Sequence, residues 1–185
     1  MDAIIVDLPQ EIIKEAVLHL KEARKYDGNA GPFPLWREVR TTVLFAVTAI
    51  EAFMNKASAY YIQNSTNQDQ TILDYLQEQE RYVQNGNVIT RQKLLSLETK
   101  VSEWTKIITG NNFDKCDSVW KTFREVKNFR NALVHYCPEC PDLYNNANIA
   151  MAKKAILSAK NIMLRFYECS KWTVPLWLNA IYVDN

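Results

Sequence analysis

Apolar residues along the chain recur every three or four positions in five stretches, with no strand-like alternation and no internal repeat. That spacing marks helices with one buried face. The first follows Asp7-Leu8-Pro9-Gln10, where an acceptor side chain, an early proline and a glutamine three positions on predict a helix start. Ile12, Ile13, Ala16, Val17 and Leu20 form its apolar face, which ends near Asp27-Gly28. After a loop of Gly, Pro and Asn, the longest helix is predicted from Leu35 or Trp36 to about Ile62. Its seam is Trp36, Val39, Val43, Val47, Ile50, Met54, Ala57 and Tyr61, beside a strip of smaller residues (Thr41, Thr48, Ala52, Asn55, Ala59) that another helix can approach closely. Residues 63–87 are polar, with a short helix expected on Ile72, Leu73, Tyr75, Leu76 and Tyr82, ending by Asn85-Gly86. Thr90 is placed to cap a helix with the seam Leu94, Leu97, Val101, Trp104 and Ile108, which Gly110 ends. Two more helices are expected, from near Asp114 to Pro138 and from about Asn146 to Ser170, the latter with Ile149, Ala152, Ile156, Ala159, Met163 and Phe166 inward.

These elements predict an all-α fold, an antiparallel bundle of four to five helices filling residues 1–170 as one domain. Residues 171–185 form an aromatic tail carrying Trp172, Trp177 and Tyr182. Two outcomes are open for it: packing over the bundle as a lid, or joining a subunit interface.

Composition changes this picture little. Of 185 residues, 48% are hydrophobic and 23% charged, with only four glycines and six prolines to interrupt helices. A net charge of +1 leaves no global attraction for nucleic acid, so any such affinity must come from a local patch. The N-terminus has no basic region of a secretory signal, and the longest apolar run, Val43 to Ile50, is too short to span a bilayer. With four cysteines in no regular framework, the expectation is a cytoplasmic protein without a membrane segment.

Chemistry concentrates on the helix ending at Pro138. Val119, Phe123, Val126, Arg130 and Leu133 share its core seam, so Arg130 stands where Leu or Ile is expected. Arginine cannot shed its charge and is seldom buried without a partner. A second row, Lys121, Arg124, Asn128, Asn131 and His135, holds only basic, amide and imidazole groups, which suit phosphate and proton transfer. Glu51 lies on the longest helix, off its main seam, and a carboxylate on an apolar helix needs a partner. Either Glu51 pairs with Arg130, or it reaches out to water.

Arg130, the polar Asn131, three apolar residues and then His135 resemble the Arg-(Asn/Asp/His)-x-x-x-His signature of HEPN domains, small all-helical domains found in many prokaryotic RNA-cleaving toxins and, as inactive variants, in accessory proteins. Ala49-Ile50-Glu51-Ala52-Phe53 on an upstream helix is similar to the acidic position many HEPN proteins have there, and the resemblance covers about residues 10–170 by helix order. It implies a metal-independent endoribonuclease without cofactor, in which Arg130 and His135 carry the chemistry, Asn131 positions the phosphate and Glu51 holds Arg130. Lys121, Arg124 and Asn128 would then bind the RNA. It further implies a homodimer with its cleft between two subunits, the toxin of a toxin–antitoxin or phage-defence pair, and hence an antitoxin protein as a possible partner. Residues five apart point about 140° apart on an ideal helix, so Arg130 and His135 share a site only if the helix end unwinds or a second subunit completes it.

Two other functional classes remain: a non-catalytic HEPN-like module binding RNA, nucleotides or protein, and an unrelated helical adaptor docking through its aromatic tail. Cys137-Pro138-Glu139-Cys140 follows the motif directly, with Cys116 upstream. A lone C-x-x-C without a second pair at finger-like spacing reads as reduced thiols rather than a metal site.

Overall fold

The computed structural model describes residues 7–28, 32–66, 69–135 and 142–183. They are predominantly helical. α1 (Leu8–Lys25) starts with Pro9 in its first turn, where the missing N–H costs nothing, and places Arg24 and Lys25 in its last turn against the helix dipole. Ile13, Ala16, Leu20 and Ala23 are its buried face. α2 (Pro32–Asn64) runs 33 residues and buries the predicted seam from Val39 to Ala57, while Trp36 and Tyr61 at its ends are half-buried. α1, α6 (Ser118–Val134) and α8 (Ile149–Ser170) all pack on α2, which makes it the central element. α8 begins at the cap Asn148, whose side chain accepts from the Met151 N–H, and its inward residues Ala152, Ile156, Ala159, Met163 and Phe166 are fully buried.

The polar region between α2 and the next helix holds the main correction. α3 (Gln70–Leu76) is followed by an antiparallel hairpin, β1 (Gln79–Gln84) and β2 (Asn87–Gln92), paired in register from Gln79 with Gln92 to Gln84 with Asn87. Its turn is Asn85-Gly86, both with positive φ (53° and 79°), the type I′ geometry that matches strand twist. Asparagine and glycine are the residues that tolerate it. The hairpin lies open to solvent on both faces, so no alternation of apolar residues was needed and none was there to read. Tyr82, expected in the short helix, therefore sits in β1 and Thr90, expected as a helix cap, in β2, while Leu94, expected in a core seam, is 79% exposed.

Helix resumes only at α4 (Leu97–Thr99), capped by Ser96, and passes through a π-helical turn (Lys100–Trp104) into α5 (Thr105–Thr109). Gly110 ends it in the left-handed conformation, as predicted. α6 starts four residues later than expected, at Ser118, because Asp117 caps it by accepting from the Val119 N–H (3.1 Å). That hydrogen bond, reinforced by Ser118 and Arg165, outweighs burial and holds the Asp117 carboxyl below its ordinary range. α7 (Asp142–Asn146) is a short turn before α8.

The tail folds back on its own chain. α9 (Leu176–Asn179) buries Leu178, and Ile181 follows it inward. Trp177 donates to Asp7 Oδ2 (3.2 Å), the same oxygen that Lys56 reaches at 2.9 Å, so one carboxylate ties tail, α1 and α2 together. No helix among the described residues is long and apolar enough to cross a membrane.

Candidate functional site

α6 ends at Val134, and His135 is its C-cap, with a non-helical φ of −98° and ψ of 83°; its N–H still donates to Asn131 O (2.9 Å). The helix ends at the histidine itself, whose N–H still completes the last helical turn, so within one subunit the divergence of about 140° between Arg130 and His135 remains. His135 is exposed, and no described residue hydrogen-bonds its ring. Arg130 and Asn131 are half-buried and in contact, Nη1 of Arg130 donating to Asn131 Oδ1 at 3.2 Å.

Glu51 does not hold Arg130. Its carboxylate lies 3.4 Å from Lys100 Nζ and is 46% exposed, and among the described residues Arg130 has no carboxylate partner at all. Arg130 Nε is buried without an acceptor. The physical reason is a competing cation. Lys100, with its side chain only 3% exposed, makes the stronger demand for counter-charge, and the π-helical turn that carries it packs on α2 beside Glu51. Arg130 also sits less deeply than its place on the core seam suggests, since Val126 and Leu133 are buried around it while it is not.

The basic row beside the motif is partly neutralised. Lys127 donates to Glu98 Oε1 at 2.7 Å and Arg124 lies 3.5 Å from the same oxygen, so Arg124 is not a free phosphate donor. The Lys127 hydrogen bond, with the charge of Arg124 behind it, holds the Glu98 carboxyl below its usual range despite partial burial. Lys121 and Asn128 are exposed and unengaged through their side chains among the described residues.

Comparison with family models, with curated proteins and with solved structures finds no match. The HEPN likeness therefore rests on the residues just described, above all on Arg130, Asn131 and His135.

Two constellations lie outside the expected set. The first is the Lys100 cage: Glu78 Oε2 (2.8 Å), Asn55 Oδ1 (3.2 Å) and Glu51 accept from its ammonium, and the Trp104 ring lies 5.1 Å away. Glu78 has positive φ (55°) and spends its other carboxylate oxygen on the Leu95 N–H (2.8 Å). A π turn adds one residue to the helix and rotates everything after it by about 100°. Val101, Trp104 and Ile108 of the predicted seam are buried across this turn, and Lys100 and Thr105 are buried beside them.

The second is an acid–imidazole pair. His19 Nδ1 lies 2.7 Å from Oε2 of the buried Glu38, and its ring stacks on Phe45 with centroids 5.6 Å apart. Arg37 reaches the other oxygen of Glu38 at 2.8 Å. Burial raises the Glu38 carboxyl, but the hydrogen bonds from His19 and Arg37 more than offset it and hold it low. The pair joins α1 to α2. Glu38, a carboxylate directly beside the core position Val39, was the signal for it.

Cys137 and Cys140 lie outside the described residues, and Cys116 is exposed. Among the described residues no group of three His, Cys, Asp or Glu is placed to hold a metal ion.

Proposed function

We propose that this chain is a metal-independent endoribonuclease of HEPN type, an antiparallel helical bundle acting as a twofold dimer. The observation that carries the reading is the state of Arg130. A guanidinium with only a neutral amide for partner among the described residues, and with a buried unpaired Nε, keeps donors that suit a phosphate. His135 stands five residues further on, at the end of the helix, and is open to solvent.

In the reaction proposed, Arg130 binds the non-bridging oxygens of the scissile phosphate, with Asn131 fixing the guanidinium plane. The RNA 2′-hydroxyl attacks phosphorus as its proton passes to a neutral imidazole. The 2′-O–P bond forms, the P–O5′ bond breaks, and the leaving 5′-oxygen takes a proton from an imidazolium. One histidine cannot both accept and donate in a single step, so the second proton transfer falls to His135 of a second copy. Lys121 and Asn128 flank this end as contacts for neighbouring phosphates, with Arg124 contributing less because Glu98 holds it. Glu51 has no place in the proposed chemistry. An activity of this kind suits a toxin held by an antitoxin protein.

One observation favours the runner-up, a non-catalytic module that binds RNA: no described residue orients the His135 ring, whereas a working general base is held by a third group. Incubation of structured RNA with the protein in chelator separates the two. The nuclease yields fragments ending in 2′,3′-cyclic phosphate and 5′-hydroxyl; RNA that is bound but left intact gives the answer to the binding module.

A further inference from the structure

We infer that the groove between α1 and the C-terminal tail is a docking site for an acidic amphipathic helix of a partner protein. The groove has a volume of about 540 Å³ and runs along α1 from Gln10 to Lys21. That stretch of helix rises roughly 16 Å, or about three turns. No lining residue comes from α6, so the site stands independently of the Arg130–His135 reading.

The groove is apolar, and its tail wall is held in place. Ile13 and Ile181 are nearly fully buried at its base, with Val17 and Leu18 on the helix side and Trp177 and Tyr182 on the tail side. Leu18 is 52% and Tyr182 74% exposed, so core packing accounts for neither. Lys160 of α8 braces the tail: its ammonium donates to Ile181 O (2.8 Å) and lies 5.6 Å from the Tyr182 ring centroid. A trough of this kind accepts the apolar face of a helix, whose anchors recur every three or four residues.

Charge selects the occupant. Among the described residues, the charged groups lining the groove are Lys14 and Lys21, and no carboxylate joins them. At about 100° per residue, α1 carries both lysines on the groove side of Leu18 and turns Glu15 and Glu22 to the other side. Lys21 has no carboxylate partner among the described residues, and Lys14 has only the exposed Glu11 (2.7 Å), a surface pair that contributes little. The two lysines are seven residues apart, about 10.5 Å along the axis, the same rise that separates two acids seven apart on a helix lying alongside. A fatty acid has one charged end and leaves the second lysine unmatched. A flat anionic membrane meets the lysines but cannot reach the base of a trough. A helix with acids repeated along one flank does both.

The test follows amide shifts by NMR as the full chain is titrated with a synthetic helical peptide. The peptide carries leucine every three or four positions and two glutamates seven apart on one flank. The same peptide with lysine in place of glutamate, laurate, and phosphatidylglycerol vesicles are the comparison ligands. The acidic peptide is expected to bind and to move signals in residues 10–21 and 177–182, and the basic peptide to leave them in place. The double variant Lys14→Glu, Lys21→Glu weakens the acidic peptide roughly tenfold, because two attractive rim contacts become repulsive, and takes up the basic peptide instead. Both lysines are exposed, so this variant keeps the wild-type melting point. No response to the acidic peptide, equal binding of the two peptides, shifts that fall outside the groove, or an unchanged preference in the reversed variant each overturns the site. So does occupation of the groove by laurate or by the vesicles in place of the acidic peptide.

Discussion

Arg130 and Lys100 are the two cations whose surroundings decide what the chain can do, and they differ in one respect. Lys100 is buried and saturated with oxygen acceptors, whereas Arg130 is half-buried with a neutral one. Lys100→Ala leaves Glu78, itself only 16% exposed, without its counter-ion, and is expected to cost about 3–5 kcal/mol in urea unfolding. Arg130→Ala removes no ion pair among the described residues and relieves an unpaired Nε, so it should shift stability by no more than about 1 kcal/mol. The reverse order in paired denaturation curves would restore Glu51 as the partner of Arg130. The sequence made Arg130 visible, because a permanent charge on a core seam is a contradiction that demands a cause. Lys100 stands beside the seam residues Val101 and Trp104 and poses the same contradiction, but its acceptors Glu51, Asn55 and Glu78 lie 22 or more positions away and left no local mark.

Between elements, the long seams of α2 and α8 were legible because helix period and core face coincide for many turns. The hairpin was not, since a ribbon exposed on both faces has no buried side to pattern; Asn85-Gly86 was its only local mark. Glu98 joins α4 to α6 through Lys127 and Arg124, and this joint is acid-sensitive. Its carboxyl is held below the value near 4.3 of an unfolded glutamate, so the unfolded chain binds that proton more readily. The stabilisation is complete above the unfolded value and is lost as pH falls through the folded one. Stability measured from pH 6 downward should therefore drop more steeply for the wild type than for Glu98→Gln, and equal slopes would remove Glu98 from the account. Asn148→Ala should cost α8 its cap and about 1 kcal/mol in the same assay.

For the whole molecule, the net charge of +1 and the partial neutralisation of the α6 row by Glu98 mean that RNA would be held locally, at the broken end of α6, and not by a general basic surface. The tail, left open between lid and interface, closes on its own chain through Leu178, Ile181 and Trp177, yet leaves Leu176 at 88% and Tyr182 at 74% exposure. The proposed cleavage needs two histidines, so sedimentation equilibrium at tens of micromolar should find a dimer, and a strict monomer would contradict the twofold site. The central claim is that His135 transfers a proton to or from RNA, and single-turnover cleavage in chelator by wild type and His135→Ala tests it most directly. His135 is exposed and hydrogen-bonded through its ring to no described residue, so the variant should keep the wild-type melting point. The account predicts a loss of cleavage rate of roughly 10²-fold or more, the usual contribution of a positioned acid–base group. Equal rates for the two proteins, with the same product ends, would contradict it.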